Sequence, residues 1–275
     1  MTTDRTGLRN PGCYTEALAD CCPTISREHY MTESLLKAIA LDDEIEVVGL
    51  PWLKPANSKV VGTNALTARI LCVRHNTALS GLDATALRFF QTIEQIHANF
   101  GEDLNQQHPI NGDEFERWLL KTLCGFAVAG MFVDAHGEKI VGWKAPLGWL
   151  EILFQGKPFP LGCGLHIVYP THGKLIHTTP QLLRLAALTS PTNEIYGLRM
   201  WVFEQQIALL MGNPLDHAPA GLLNLQDHQP TDYRPAAIAY FDDVKTKAIT
   251  FDWQTGPANK PFRIQMLRLA DTTGH

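Results

Sequence analysis

Two segments concentrate the side chains that could do chemistry. Residues 13–30 read CYTEALADCCPTISREHY, and residues 71–83 read LCVRHNTALSGLD. Together they offer Cys13, Cys21 or Cys22, Cys72 and His75, which are four soft or borderline donors, enough to close a tetrahedral zinc site. The same two segments carry Glu28, His29 and Asn76. Glu28 and Asn76 offer oxygen donors for a divalent ion, and His29 is an imidazole that could act as a base beside it. On a helix, Cys72 and His75 fall on one face. Asn76, about 100° further round, can look away from them toward a second site. The plainer reading of the same residues is a core thiol at Cys72 and a surface histidine at position 75. The stretch from Cys13 to Cys21 or Cys22 is longer than the common two-residue zinc knuckle.

These residues need elements to hold them. Asn10-Pro11-Gly12 is a turn that would present Cys13. Ile25–Tyr30 is expected as a short strand carrying Glu28 and His29, followed by a short amphipathic helix from Thr32 through Leu35, Leu36 and Ile39. Glu46–Leu50 reads as a second strand. Ala65–Leu71 leads into the helix that bears Cys72 and His75. Gly81 is expected to interrupt it, with Asp83 capping a new helix over Ala84–Phe100 whose inward side chains include Leu87, Phe90 and Ile93.

The polar stretch Asn105–Gly112 is read as a domain boundary, giving a unit over 1–105 and a second over 113–275. Asp113 and Glu116 form a capping box ahead of a strongly apolar helix reaching about Gly130, in which Cys124 is a core residue. Beyond it the pattern changes to short strands at Trp149–Phe154, Gly164–Tyr169, Leu175–Thr178, Leu198–Phe203 with Ile207–Leu210, Ala236–Phe241, Lys247–Trp253 and Phe262–Leu267. The predicted class is α+β, with a mainly antiparallel second half. His166, His172 and His177 lie close in sequence, but no cysteine or carboxylate set accompanies them, so they are read as ordinary polar positions.

Composition limits the partners. The chain has 275 residues, 45% hydrophobic and 19% charged, which suits a folded soluble protein with a sizeable core. No apolar run is long enough to span a membrane and no secretory leader is evident at the start, so cytoplasmic location is the default and the six cysteines are read as ligands or buried thiols. The net charge is −5, and residues 1–100 hold 9 Lys/Arg against 11 Asp/Glu. A nucleic-acid partner would therefore need basic residues clustered in space.

Over residues 13–83 the order of knuckle cysteines, an acidic-His dipeptide and a Leu-Cys-x2-His-Asn helix resembles the HNH endonucleases of the treble-clef, ββα-metal type. The resemblance implies a structural Zn²⁺ held by Cys13, Cys21, Cys72 and His75. It also implies a catalytic Mg²⁺ or Mn²⁺ at Glu28 and Asn76, with His29 as the base that activates water. The implied substrate is nucleic acid, DNA before RNA, and the C-terminal unit is left for a protein partner or self-association. The dipeptide is Glu-His where the family has Asp-His, and the family's central asparagine is replaced by Thr67, with Asn64 nearby. The rival expectation is a zinc-stapled binding or scaffold protein that does no chemistry.

Overall fold

A computed structural model describes residues 5–51, 53, 57–101, 105–134, 137–168, 182–190, 192–202, 205–212 and 231–266. In chain order, β1 (Ile25–His29), α1 (Glu33–Ile39), β2 (Glu44–Val48), β3 (Ser58–Gly62), β4 (Thr67–Cys72) and α2 (Val73–Ala98) make the first part. Next come β5 (Gln106–Asn111), α3 (Gly112–Val128), α4 (Leu147–Gln155), β6 (Gly164–Val168) and β7 (Leu182–Thr189). The rest is β8 (Ile195–Val202), β9 (Gln205–Leu210), β10 (Thr231–Tyr233), β11 (Ala237–Phe241), β12 (Thr246–Asp252) and β13 (Phe262–Gln265). The class is α+β.

The strands form three sheets. β1 and β4 pair antiparallel, with Ile25 opposite Cys72 and His29 opposite Thr67. A seven-stranded sheet has the order β10-β6-β9-β8-β7-β2-β3, and a four-stranded sheet has the order β13-β11-β12-β5. Most pairs are antiparallel, but β2–β7, β11–β13 and β12–β5 are parallel.

Three expectations are corrected. First, residues 106–111 are not a linker, because they form β5, hydrogen-bonded along β12 from Lys247 to Asp252. The hairpin β2–β3 likewise enters the large sheet beside β7, and one hydrophobic core runs from Cys13 to Ile264. A polar strand at a sheet edge, QQHPIN, carries little sequence signal because only Ile110 is buried in it. Second, Gly81 does not break α2, which runs unbroken for 26 residues. A glycine in a helix interior costs only about 1 kcal/mol, and packing of α2 against α1, α3 and β5 outweighs it. Third, Trp149–Phe154 is helical, between Pro146 at the N-cap and Gly156 in the left-handed conformation at the C-cap. A short apolar run does not by itself separate strand from helix. Leu175–Thr178, His172 and His177 lie outside the described residues.

Helix α3 lies between the two large sheets, touching β5 and β12 on one side and β8 and β9 on the other. Fourteen of its residues are buried. Asn111 caps it by accepting from the Glu114 amide at 3.0 Å, in place of the expected Asp113 box. Gly112 follows because a Cβ there would meet the Trp253 ring at 2.6 Å. Phe115 stacks on Trp118 with ring centroids 5.7 Å apart and sits 4.1 Å from the Phe89 ring of α2.

A helix buried on all sides must pair its charges. Glu116, fully buried, accepts from Arg234 Nη2 at 2.6 Å and Nε at 2.9 Å, and from the Leu165 amide at 2.7 Å. The last contact requires glycine at position 164, where a Cβ would collide with Glu116 Oε1. Asp113 caps the Gln254 amide at 2.6 Å and bonds the Thr255 hydroxyl. We expect Glu116→Ala to cost about 3–5 kcal/mol, because it strands a buried guanidinium. Asp20→Ala, which breaks the partly exposed pair with Arg74, should cost under about 1 kcal/mol. Urea unfolding of both variants checks the contrast, and equal losses would refute it.

Candidate metal centre and the adjoining polar cluster

The local fold that builds the centre is a strand pair followed directly by a helix. The loop ahead of β1 is pinned by Asn10, whose amide donates to the carbonyls of Cys22 and Pro23 at 3.0 and 2.9 Å. The Cys13 amide returns to the Asn10 carbonyl at 2.8 Å, which is the turn that presents the first cysteine. The chain then makes one short 3-10 turn, Glu16–Leu18, and passes Ala19 in the left-handed conformation to reach Cys21. β4 ends on Cys72, which is the N-cap of α2, and His75 lies in that helix's first turn.

Cys13, Cys21, Cys72 and His75 are all buried, and their ligand atoms lie within 4.8 Å of one another. Cys72 Sγ is 3.2 Å and Cys13 Sγ 3.8 Å from His75 Nδ1. Backbone amides also point at the sulfurs, with the Cys72 amide donating to Cys13 Sγ at 3.2 Å and the Cys22 amide to Cys72 Sγ at 3.4 Å. Such donors and the N-terminus of α2 favour negative sulfur. Burial pushes the Cys13 thiol up and holds His75 below the usual imidazole value. The cluster could hold a metal ion, which would supply the positive charge that three buried thiolates need.

Cys22 is not part of the set. Its Sγ lies by the Thr24 carbonyl at 3.6 Å and accepts from the Arg74 amide at 3.4 Å. Thr15, which carried no sequence signal, is fully buried with its hydroxyl 2.8 Å from His75 Nδ1 and 3.0 Å from Cys13 Sγ. A metal held by the His75 Nδ1 lone pair would leave the Thr15 hydroxyl to Cys13.

No family model, curated protein or solved structure matches this chain. The centre is therefore read from its own geometry.

Asn76 turns away from the Cys/His cluster. Its side-chain nitrogen donates to Ser26 Oγ on β1 at 3.2 Å, and Asn76 is near enough to Glu28 to oppose the rise that burial gives that carboxyl's pKa. Glu28 and Asn76 are thus brought together, on the side of α2 away from His75. His29, the last residue of β1, is half-buried, with Nδ1 at 3.9 Å from Glu33 Oε2 and Nε2 buried without a partner. Burial lowers the His29 pKa, and Glu33 opposes that shift. Thr67, at the position of the family's central asparagine, is taken up by Arg27 Nε at 2.8 Å and the Asn64 carbonyl at 3.0 Å, so neither Thr67 nor Asn64 holds His29.

The polar cluster includes a group the sequence reading did not place. Lys121 of α3, 4% exposed, sets its ammonium 2.8 Å from Glu28 Oε1 and 2.8 and 2.9 Å from the two Asp83 oxygens. Asp83 is therefore not a helix cap. It also accepts from the Thr32 hydroxyl at 2.7 Å, and Thr32 in turn accepts from Trp118 Nε1 at 2.7 Å. Burial raises the Glu28 pKa, and Lys121 is the largest opposing influence. A catalytic Mg²⁺ or Mn²⁺ does not fit this arrangement as it stands. Glu28 is 7% exposed and already paired with the Lys121 ammonium, and Asn76 commits its side-chain amide to the Ser26 hydroxyl. The signal that could have found Lys121 is a lysine inside the apolar run WLLKTLCGF, since a buried lysine needs an acid.

Two outcomes are expected here. Cys13→Ser and Cys72→Ser should each lose the bound metal, counted per chain by elemental analysis, and should melt lower than wild type, whereas Cys22→Ser should keep the metal. Loss in Cys22→Ser would reassign the ligand. For His29, the folded pKa lies below the unfolded 6.5. Its contribution to stability is therefore complete above pH 6.5 and is lost as pH falls through 6.5 toward the folded value. His29→Gln should lose less stability than wild type on acidification, measured by denaturant midpoints across that range.

Proposed function

We propose that residues 13–98 form a zinc-stapled ββα module of nuclease type, whose chemistry would be hydrolysis of nucleic-acid phosphodiester bonds. The reading is carried by one observation. A strand pair leads directly into a helix, with Glu28 and His29 on β1 and with Asn76 of the first turn of α2 hydrogen-bonded back to Ser26 of the same strand. Zn²⁺ is the ion we assign to Cys13, Cys21, Cys72 and His75, because three sulfurs and one imidazole nitrogen in a closed, buried set are a structural zinc donor set. Bound there, it would fasten the segment before β1 to the β4–α2 junction. His29, with an unpartnered ring nitrogen, is the group that would take a proton from the attacking water.

A second reading has its own support. Lys121 fills the position beside Glu28 that a divalent ion would need, and the chain is acidic. On that reading the ββα module is a scaffold, and Glu28 and Asp83 serve to anchor α3.

The deciding experiment is a cleavage assay on single- and double-stranded DNA and RNA with Mg²⁺, Mn²⁺ or EDTA, using wild type, His29→Ala and Lys121→Met. If the module cuts, His29→Ala should lower the rate on the order of 10²–10⁴-fold, with metal content unchanged. Absence of cleavage by both wild type and Lys121→Met would leave the scaffold reading.

A further inference from the structure

The disagreement between the expected divalent ion and the observed cluster is itself informative. Glu28 comes from β1, Asn76 and Asp83 from α2, and Lys121 from α3, so the ammonium joins three elements at one point. Lys121 is almost fully buried, and each of its contacts is at hydrogen-bond length to a carboxylate oxygen. Such a lysine is more than a neighbour of the acids. It is the charge that makes two carboxylates at close range tolerable away from water.

We propose that Lys121 is the resident cation of this site: α3 delivers an ammonium to the place a divalent ion would occupy, and an ion binds Glu28 and Asp83 only when that ammonium is withdrawn. The inference stands beside the nuclease reading without resting on it, because it concerns ion binding and not cleavage. It fixes what would have to move for a divalent ion to enter, namely the side chain of Lys121 or the seat of α3 on α2. Thr32 and Trp118 hold that seat through Asp83, so motion of α3 would be felt at both acids together.

Two details of the geometry support the assignment. Lysine places a single, compact charge on a flexible stem, which suits it to the role of a tethered ion. The Asn76 side-chain nitrogen is spent on the Ser26 hydroxyl at 3.2 Å, so Lys121 is the group that the geometry sets against the Glu28 oxygen.

The test is Mn²⁺ binding followed by electron paramagnetic resonance on the zinc-loaded full chain. Wild type should show no Mn²⁺ whose binding depends on Glu28, so wild type and Glu28→Gln should titrate alike. Lys121→Met keeps the apolar stem and should bind one Mn²⁺ about tenfold or more tighter than wild type, as removal of a unit charge at contact distance predicts. The gain should vanish in Lys121→Met/Asp83→Asn. A Mn²⁺ ion bound by wild type and lost in Glu28→Gln would overturn the proposal, as would a folded Lys121→Met that binds no more Mn²⁺ than wild type. If Lys121→Met does not fold, Lys121→Gln is titrated in its place, and a folded Lys121→Gln that binds no more Mn²⁺ than wild type overturns the proposal in the same way. Cleavage by wild type is scored separately, so the nuclease reading and this one can fail independently.

Discussion

A helix buried on every side cannot leave its charges unmatched, and α3 imposes that constraint on the whole molecule. Fourteen of its residues are buried, among them Asp113, Glu116 and Lys121. Glu116 fixes Arg234 and the start of β6, Asp113 fixes the turn after β12, and Lys121 fixes the end of β1 and the middle of α2. Each pair ties α3 to a different element. The net gain from any such pair is small, because desolvation offsets attraction, but the loss on removing one partner is large. The pairs therefore act less as a source of stability than as a register that admits one seating of α3 between the two sheets.

The Cys/His cluster acts on the same fold from the other end. It joins the loop before β1 to the β4–α2 junction, positions separated by some sixty residues along the chain. An ion held there would close a long loop and stabilise the folded state by its binding free energy. The thiols are already preorganised by backbone amides and by the first turn of α2, so little rearrangement stands between the described geometry and a loaded one.

Helix α2 carries both groups because adjacent helical positions point in different directions. His75 looks into the cluster and Asn76 reaches Ser26 on β1, while Asp83, two turns on, reaches Lys121. The cluster and the polar site are thus mechanically one unit. A shift of α3 that moved Lys121 would act on Glu28 and Asp83 directly, and on the Cys/His cluster through α2 and through α4, whose Phe154 ring packs 4.8 Å from that of His75.

Much of the site was legible in the sequence. The Cys72-x2-His75 spacing singled out the pair, although Cys72 is the extended last residue of β4 and N-cap of α2 and does not share a helix face with His75. The strand bearing Glu28 and His29, the helix bearing Asn76 and most of the C-terminal strands follow from periodicity. These are local properties, set by side-chain direction over a few residues. Other features were decided by tertiary contacts. The choice of Cys21 over Cys22 is made by the folded loop, which turns Cys21 to Cys13, Cys72 and His75 and leaves the Cys22 sulfur with Thr24 and the Arg74 amide. The polar hexapeptide 106–111 becomes a strand because β12 lies beside it, and Gly81 stays helical because α2 is packed along its length. The role of Lys121 could not be read from its neighbours in sequence, since the acids that neutralise it come from β1 and α2. A charge in an apolar run announces that a partner exists, and only the packing of three distant elements determines which one.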